Sequence, residues 1–212
     1  VSAEHQPITN GDCCLKIASG FGGCNAAMVL RLGAGPVPAM PSNVEPLRVV
    51  RRVVLTSDIP FAEFIRDEYR ALNAPNMKFF KMDNQCKLGY VEAEKLLQGI
   101  DLEYDTTRTA LVLTNHAASL DTDLKHQQLL NAHEVASPAV FVYTLPNIVS
   151  GEICIRHHIQ GENTFFVQDS PDGFAREYAA LLLHRGIADR VVLGWCDVLG
   201  EHYAANFELL TL

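Results

Sequence analysis

Two kinds of apolar pattern alternate along the chain, and the switches between them predict its elements. Short β-branched and aromatic runs read as strands, while apolar residues at three- and four-residue steps read as helix faces. Val49 to Thr56 predicts a strand, and Asp58-Ile59-Pro60 opens a helix running to about Leu72, since proline suits a first turn. Met82-Asp83 opens another helix, on which Cys86, Tyr90, Ala93, Leu97 and Ile100 share one face. Ala110 to Thr114 reads as a buried strand, Asp121 to Ala132 as a helix, and Phe141-Val142-Tyr143 as extended. Pro146-Asn147 starts a helix that ends before a tight turn at Gly161. Thr164-Phe165-Phe166-Val167 then reads as a buried strand. Gln168-Asp169-Ser170-Pro171-Asp172 supplies a cap, a proline and an acid, which predicts a helix start. Phe174, Tyr178, Leu181 and Leu182 line that helix to near Gly186, and Val191 to Leu193 and Asn206 to Leu212 are the last strands. Strands alternating with helices predict an α/β fold with a mostly parallel sheet covered on both faces.

The beginning of the chain is organised differently. Leu15 to Ser19 and Ala26 to Leu32 read as two strands around Gly20-Phe21-Gly22-Gly23-Cys24-Asn25. Glycines there allow positive φ and close backbone approach, so a loop amide could face a ligand; an ordinary tight connection is the alternative. The loop matches neither GxGxxG nor a P-loop, and no lysine follows it, which argues against a phosphate cradle. From Gly33 to Pro46, four prolines (Pro36, Pro38, Pro41 and Pro46) mark a linker, the one convincing boundary. The expected organisation is a segment 1–32, a linker 33–46 and a main body 47–212.

Composition narrows the function. The chain of 212 residues carries a net charge of -8, which argues against a nucleic-acid partner. No apolar run reaches the roughly 18 residues that span a bilayer, and Val1 to Asn10 does not read as a signal peptide. The six cysteines lack metal-ligand spacing and read as reduced thiols of a cytoplasmic protein. Neither a metal nor a cofactor is expected, and no membrane partner.

The main body resembles the N-terminal half of a β-ketoacyl-acyl-carrier-protein synthase, of the thiolase-like superfamily. The residues that carry the resemblance are Arg51 to Thr56, similar to the opening strand, and Lys81-Met82-Asp83 with Leu88-Gly89-Tyr90-Val91 and Ala93, similar to a buried helix. Thr144, Asn147, Val149 and Gly151 fall on the turn and helix before the active strand, and Gly161 to Gly173 resembles that strand and the helix after it. Ser19 to Asn25 is similar to the GFGGxN motif near a synthase C-terminus. The resemblance implies a thiolase-like half with a mixed, mostly parallel five-stranded sheet. In the family a cysteine at the strand-to-helix junction takes the acyl chain, where a helix N-terminus favours the thiolate.

Here Ser170 falls at the nucleophile position, between Asp169 and Pro171. A serine needs a base, and neighbouring carboxylates oppose an alkoxide. No HGT motif occurs, and His116, His126, His133, His157, His158 and His184 fall in predicted elements or at their edges. Ser170 and Asp172 read instead as a cap and a dipole-complementing acid. The expected function is a non-catalytic synthase-like partner in fatty-acid or polyketide-type synthesis. The alternative is a divergent 3-oxoacyl synthase or acyltransferase using Ser170, with residues from a partner chain and Gly20, Phe21, Gly22 and Gly23 as oxyanion or gate-loop groups.

Two partner surfaces are expected. Asn163, Thr164, Phe165, Phe166, Val167 and Gln168 lack the lysine, proline or inward charge that usually protects an edge. In the family this strand pairs across a two-fold axis, which implies a homodimer, or a heterodimer with a synthase, and makes the Thr164 N–H a candidate ladder donor. An acyl carrier protein, itself usually acidic, would need a local basic patch such as Arg48, Arg51, Arg52, Lys78, Lys81 and Lys87.

Overall fold

A computed structural model describes residues 13–19, 25–31, 33, 45–102, 106–132 and 137–212. The chain divides into two compact units, Val1–Val44 and Glu45–Leu212. In the first, β1 (Cys13–Ser19) pairs antiparallel with β2 (Asn25–Arg31), from Cys13 opposite Arg31 to Ser19 opposite Asn25. The glycine loop 20–24, including Gly20, Phe21, Gly22 and Gly23, and most of the stretch 33–46 lie outside the described residues, as does His133.

The second unit runs β3 (Arg48–Leu55), α1 (Phe61–Leu72), α2 (Asn84–Leu97), β4 (Thr109–Asn115), α3 (Leu120–Asn131), α4 (Pro138–Val142), α5 (Ile148–His157), β5 (Asn163–Val167), α6 (Phe174–His184), β6 (Arg190–Leu199) and β7 (His202–Thr211). Its sheet has the order β3-β7-β6-β4-β5. The sheet is mixed and five-stranded: β5, β4 and β6 run parallel, and β7 joins β6 and β3 antiparallel. Its parallel part is thus confined to two of four pairings, because β6 and β7 are arms of one long hairpin turning at Gly200.

Side-chain alternation sorts this sheet into two faces. Leu111, Leu113, Val192, Cys196, Phe207 and Leu209 belong to a large core with α1, α2 and α5. Ala110, Val112, Val191, Leu193 and Leu210 belong to a smaller one under α6. The residues of α6 that reach the sheet are Ala175, Ala179, Leu182 and Leu183. This turns the helix away from the expected face: Phe174 and Leu181 are exposed, because small alanines let the backbone sit close. A second difference is α4, where an extended segment was expected. Ser137 and Pro138 start a helical turn that carries Phe141 and Val142 with it, overriding their β preference.

Helix α2 organises the larger core. The Asp83 carboxylate accepts from the Cys86 N–H at 2.9 Å, capping the helix, and from the Thr122 hydroxyl at 2.8 Å, tying it to α3. Gly89 is the contact point with α5: a Cβ there would lie 2.4 Å from Val149 Cγ2. At Gly161 a Cβ would lie 2.3 Å from the Thr109 carbonyl oxygen, so only glycine lets the turn before β5 close on β4.

One group in this core is out of keeping with it. Glu92 on α2 is fully buried, and neither carboxylate oxygen makes a well-formed hydrogen bond. Burial pushes its pKa up from 4.5 to about 7, against the opposing pull of Lys95 and the Phe207 backbone. Between those values the folded chain holds a proton that the unfolded chain has released. Stability from this site is therefore greatest below about pH 4.5 and falls as pH rises to about 7. At roughly 1.4 kcal/mol per pH unit, the loss is about 3 kcal/mol. Glu92→Gln should remove it, so urea unfolding should show the variant gaining on the native chain from pH 5 to pH 8.

Candidate functional site

The strand-to-helix junction after β5 is held by Gln168. Its N–H donates to the Asn115 carbonyl at 2.9 Å, and its side-chain amide donates to the Ser170 carbonyl at 2.7 Å. Its Oε1 accepts from the Ala175 N–H at 3.4 Å, in the first turn of α6. The helix starts at Phe174 with Gly173 as its cap residue, which makes no side-chain cap bond. Ser170 therefore stands ahead of the helix and does not cap it, a correction to the expected helix start. Proline at 171 and the bends around it delay the first helical turn. The Ser170 hydroxyl is exposed and donates to the Asp172 carbonyl at 2.8 Å.

No histidine serves that hydroxyl among the described residues. His116 and His158 are exposed, and His126 sits against Phe141 with ring centroids 5.8 Å apart. His157 is half-buried beside Glu94, which also binds Arg156, and that burial lowers its pKa. His184 ends α6, at the far end from Ser170.

The basic residues do not form one patch. Arg51 donates to the Leu96 and Gln98 carbonyls on the α2 side of β3, while Arg52 turns to the other face and meets Asn206. Arg48, Lys78 and Lys81 are exposed, and burial lowers the pKa of Lys87.

Strand β5 lies at one edge of the sheet, and β3 at the other. The β3 edge carries Arg48, Arg51 and Arg52 and an irregular register between Val49 and Arg51, both of which discourage a further strand. The β5 edge has neither device. Leu111 donates to the Glu162 carbonyl and Gln168 donates to Asn115, so residues 162, 164, 166 and 168 turn their peptide groups to β4. Asn163, Phe165 and Val167 turn theirs outward. The Thr164 N–H is thus spent within the sheet, a correction to its expected role as an outward donor. Phe165 and Phe166 fall on opposite faces, packed against the larger and smaller cores respectively. Phe166 meets Phe174 and Tyr178 edge-on at 5.2 and 5.3 Å, extending an apolar surface along the edge. Val167 and Phe174 are 56% and 57% exposed there.

A hollow of about 1020 Å³ lies between the β3–α1 loop and the β6–β7 hairpin, among Asp58, Asp197, Glu201 and His202. Two of its acids are structural anchors. Glu201 accepts from the Phe61 N–H at 2.8 Å, and Asp197 accepts from the His116 and Ala117 N–H groups at 3.0 and 2.9 Å. A smaller hollow adjoins the junction, where Glu208 lies between Arg52 and Arg176. Sequence reading missed this triad; a lone carboxylate in the otherwise apolar run Phe207 to Leu210 was the available signal. Among the described residues no group of acids, histidines and cysteines is arranged to hold a metal, and no helix is long and apolar enough to cross a membrane.

Comparison with solved structures gives the class of fold. A ketosynthase (ApeO) in complex with its chain length factor (ApeC) from Xenorhabdus doucetiae matches with a TM-score of 0.59 at 16% identity, over 78% of each chain. The ishigamide ketosynthase/chain length factor matches with a TM-score of 0.59 at 17% identity, over 78% of this chain and 62% of that one. A type II polyketide synthase acyl-carrier protein in complex with its ketosynthase bound to the hexaketide (AntDE:AntF) matches with a TM-score of 0.53 at 17% identity, over 73% of this chain and 50% of that one. The fold is therefore the thiolase-like fold of the ketosynthases, and at these identities the likeness is one of fold. No family model matches the sequence, and no curated protein matches it.

Ser170 is expected to take no acyl group. Intact-protein mass spectrometry after incubation with acyl thioesters should show an unchanged mass. A stoichiometric adduct that disappears in Ser170→Ala would contradict this.

Proposed function

We propose that this chain is a non-catalytic, ketosynthase-like subunit of fatty-acid or polyketide-type acyl-chain synthesis. It pairs with a complete ketosynthase, taking the place that a chain length factor holds in the complexes named above. The observation that carries this reading is the junction. Its serine hydroxyl donates to a backbone carbonyl, stands ahead of the helix rather than at its first N–H groups, and has no histidine partner among the described residues. A nucleophile without a base gains nothing from the fold alone.

The fold likeness supports the choice of partner class. Equal coverage of both chains in the ApeO–ApeC match means that the matched chain is about as long as this one. The partner surface is the β5 edge, where Asn163, Phe165 and Val167 offer outward peptide groups beside the Phe166, Phe174 and Tyr178 rings. A second copy of this chain could use the same strand, giving a homodimer in the absence of a ketosynthase. The setting is the cytoplasm, in keeping with free Cys86, Cys154 and Cys196. Acyl carrier protein contacts are expected on the ketosynthase, because Arg51 and Arg52 are committed to opposite faces of β3.

Co-expression with a ketosynthase followed by size exclusion with light scattering tests the pairing. A one-to-one complex is expected. Val167→Pro, which removes an outward donor at an edge position, should weaken it at least about tenfold, while Ser170→Ala leaves it unchanged. A chain that stays monomeric alone and with every ketosynthase tried would overturn the assignment.

A further inference from the structure

The small hollow beside the junction has features that folding alone does not require. It has a volume of about 260 Å³ and lies on the α6 side of the sheet, among Arg52, Thr114, Asp172, Arg176, Trp195 and Asn206, with Glu208 behind them. Glu208 is the structural centre. Its side chain is only 9% exposed, and it receives Arg176 Nη1 at 2.5 Å on one oxygen and faces Arg52 Nε at 3.6 Å on the other. Arg52 Nε also donates to the Asn206 amide oxygen at 3.0 Å.

A buried carboxylate is neutralised by one cation, and here two are supplied. Both guanidinium groups sit on the wall of a hollow open to solvent, with 56% and 42% of their side chains exposed, and neither makes an ion pair with Asp172 on the rim. Among the described residues, the remaining nitrogens of Arg52 and Arg176 have no partner. Arg176 is held by Glu208 and Arg52 by Asn206, so part of the side-chain entropy is already lost before binding. Arg176 stands in the first turn of α6, whose 11 residues place a positive dipole end at the same spot. Trp195 supplies an apolar wall. Asp172 on the rim is the acid of the hollow that neither arginine pairs with.

We propose that this hollow binds a small oxyanion, a carboxylate or phosphate group held by Arg52 and Arg176. Guanidinium forks match both acceptors in two-point geometry, and their affinity for either comes from charge-assisted hydrogen bonds. The site stands apart from the partner-subunit reading, because it needs neither Ser170 nor the β5 edge. Arg52 and Arg176 are binding residues in it, Glu208 a positioning residue, and Asp172 a rim charge that weakens occupancy.

Trp195 is the chain's only tryptophan and lines the hollow, so its fluorescence reports occupancy in the intact protein. The 212-residue chain would be titrated with inorganic phosphate and, separately, with malonate, sodium chloride holding ionic strength constant. A saturable change is expected for at least one of them, with half-saturation at roughly millimolar concentration. Arg52→Gln and Arg176→Gln each leave Glu208 one cation, so both variants should fold, as checked by circular dichroism. Each should weaken the anion at least about tenfold, whereas Asp172→Asn should tighten it. The two titrations distinguish a phosphate site from a carboxylate site. Fluorescence that stays flat with both anions, or a change that survives both arginine substitutions, would overturn the proposal.

Discussion

The main unit depends on β6, which is the only strand of its sheet paired parallel on one side and antiparallel on the other. Its parallel neighbour β4 carries β5, and its antiparallel neighbour β7 carries β3, so both sheet edges take their position from it. Its own side chains feed both cores: Val192, Cys196 and Val198 face α1, α2 and α5, while Val191 and Leu193 face α6. At Gly194 a Cβ would lie 2.6 Å from Leu113 Cδ2 and from a Phe207 ring carbon. Three strands therefore close at one point, which fixes their relative height and, through β4, the height of the β5 edge.

Around this strand the structure sets out three features: a junction, an edge and a hollow. The junction is held by Gln168, and its serine donates to a backbone carbonyl with no histidine beside it among the described residues. The edge keeps its outward peptide groups and an aromatic surface beside them. The hollow under α6 carries Arg52 and Arg176 beside the apolar wall of Trp195. These three features together are what support the proposed role as a partner subunit.

Much of this was legible in the sequence. Asp83 before an apolar-periodic run announced α2, and Pro60 announced α1, because caps and first-turn prolines act locally. Thr164 to Val167 announced a strand at the right place, and the order of motifs along the main body pointed to the fold that the solved structures share. What was not legible depended on partners distant in sequence. The face of α6 was assigned to its large residues, whereas close packing on β4 and β6 selected Ala175 and Ala179. The Phe141 segment was read by propensity, and the Ser137-Pro138 start outweighed it. Arg52 and Glu208 are separated by most of the unit and meet only through the β3–β7 register, which pairs them directly. The direction of each β5 peptide group likewise follows from the register with β4, so the Thr164 N–H could not be assigned before that register was known.

The account rests on β5 being a pairing edge, and amide hydrogen exchange resolved residue by residue measures this directly. In the unpaired chain, Thr164, Phe166 and Gln168 should be protected by β4, while Asn163, Phe165 and Val167 exchange fast. On binding a ketosynthase, or on dimerisation, the three fast amides should become protected and the alternation along the strand should disappear. Fast exchange at Asn163, Phe165 and Val167 in a formed complex would show that the partner binds elsewhere and would contradict the account.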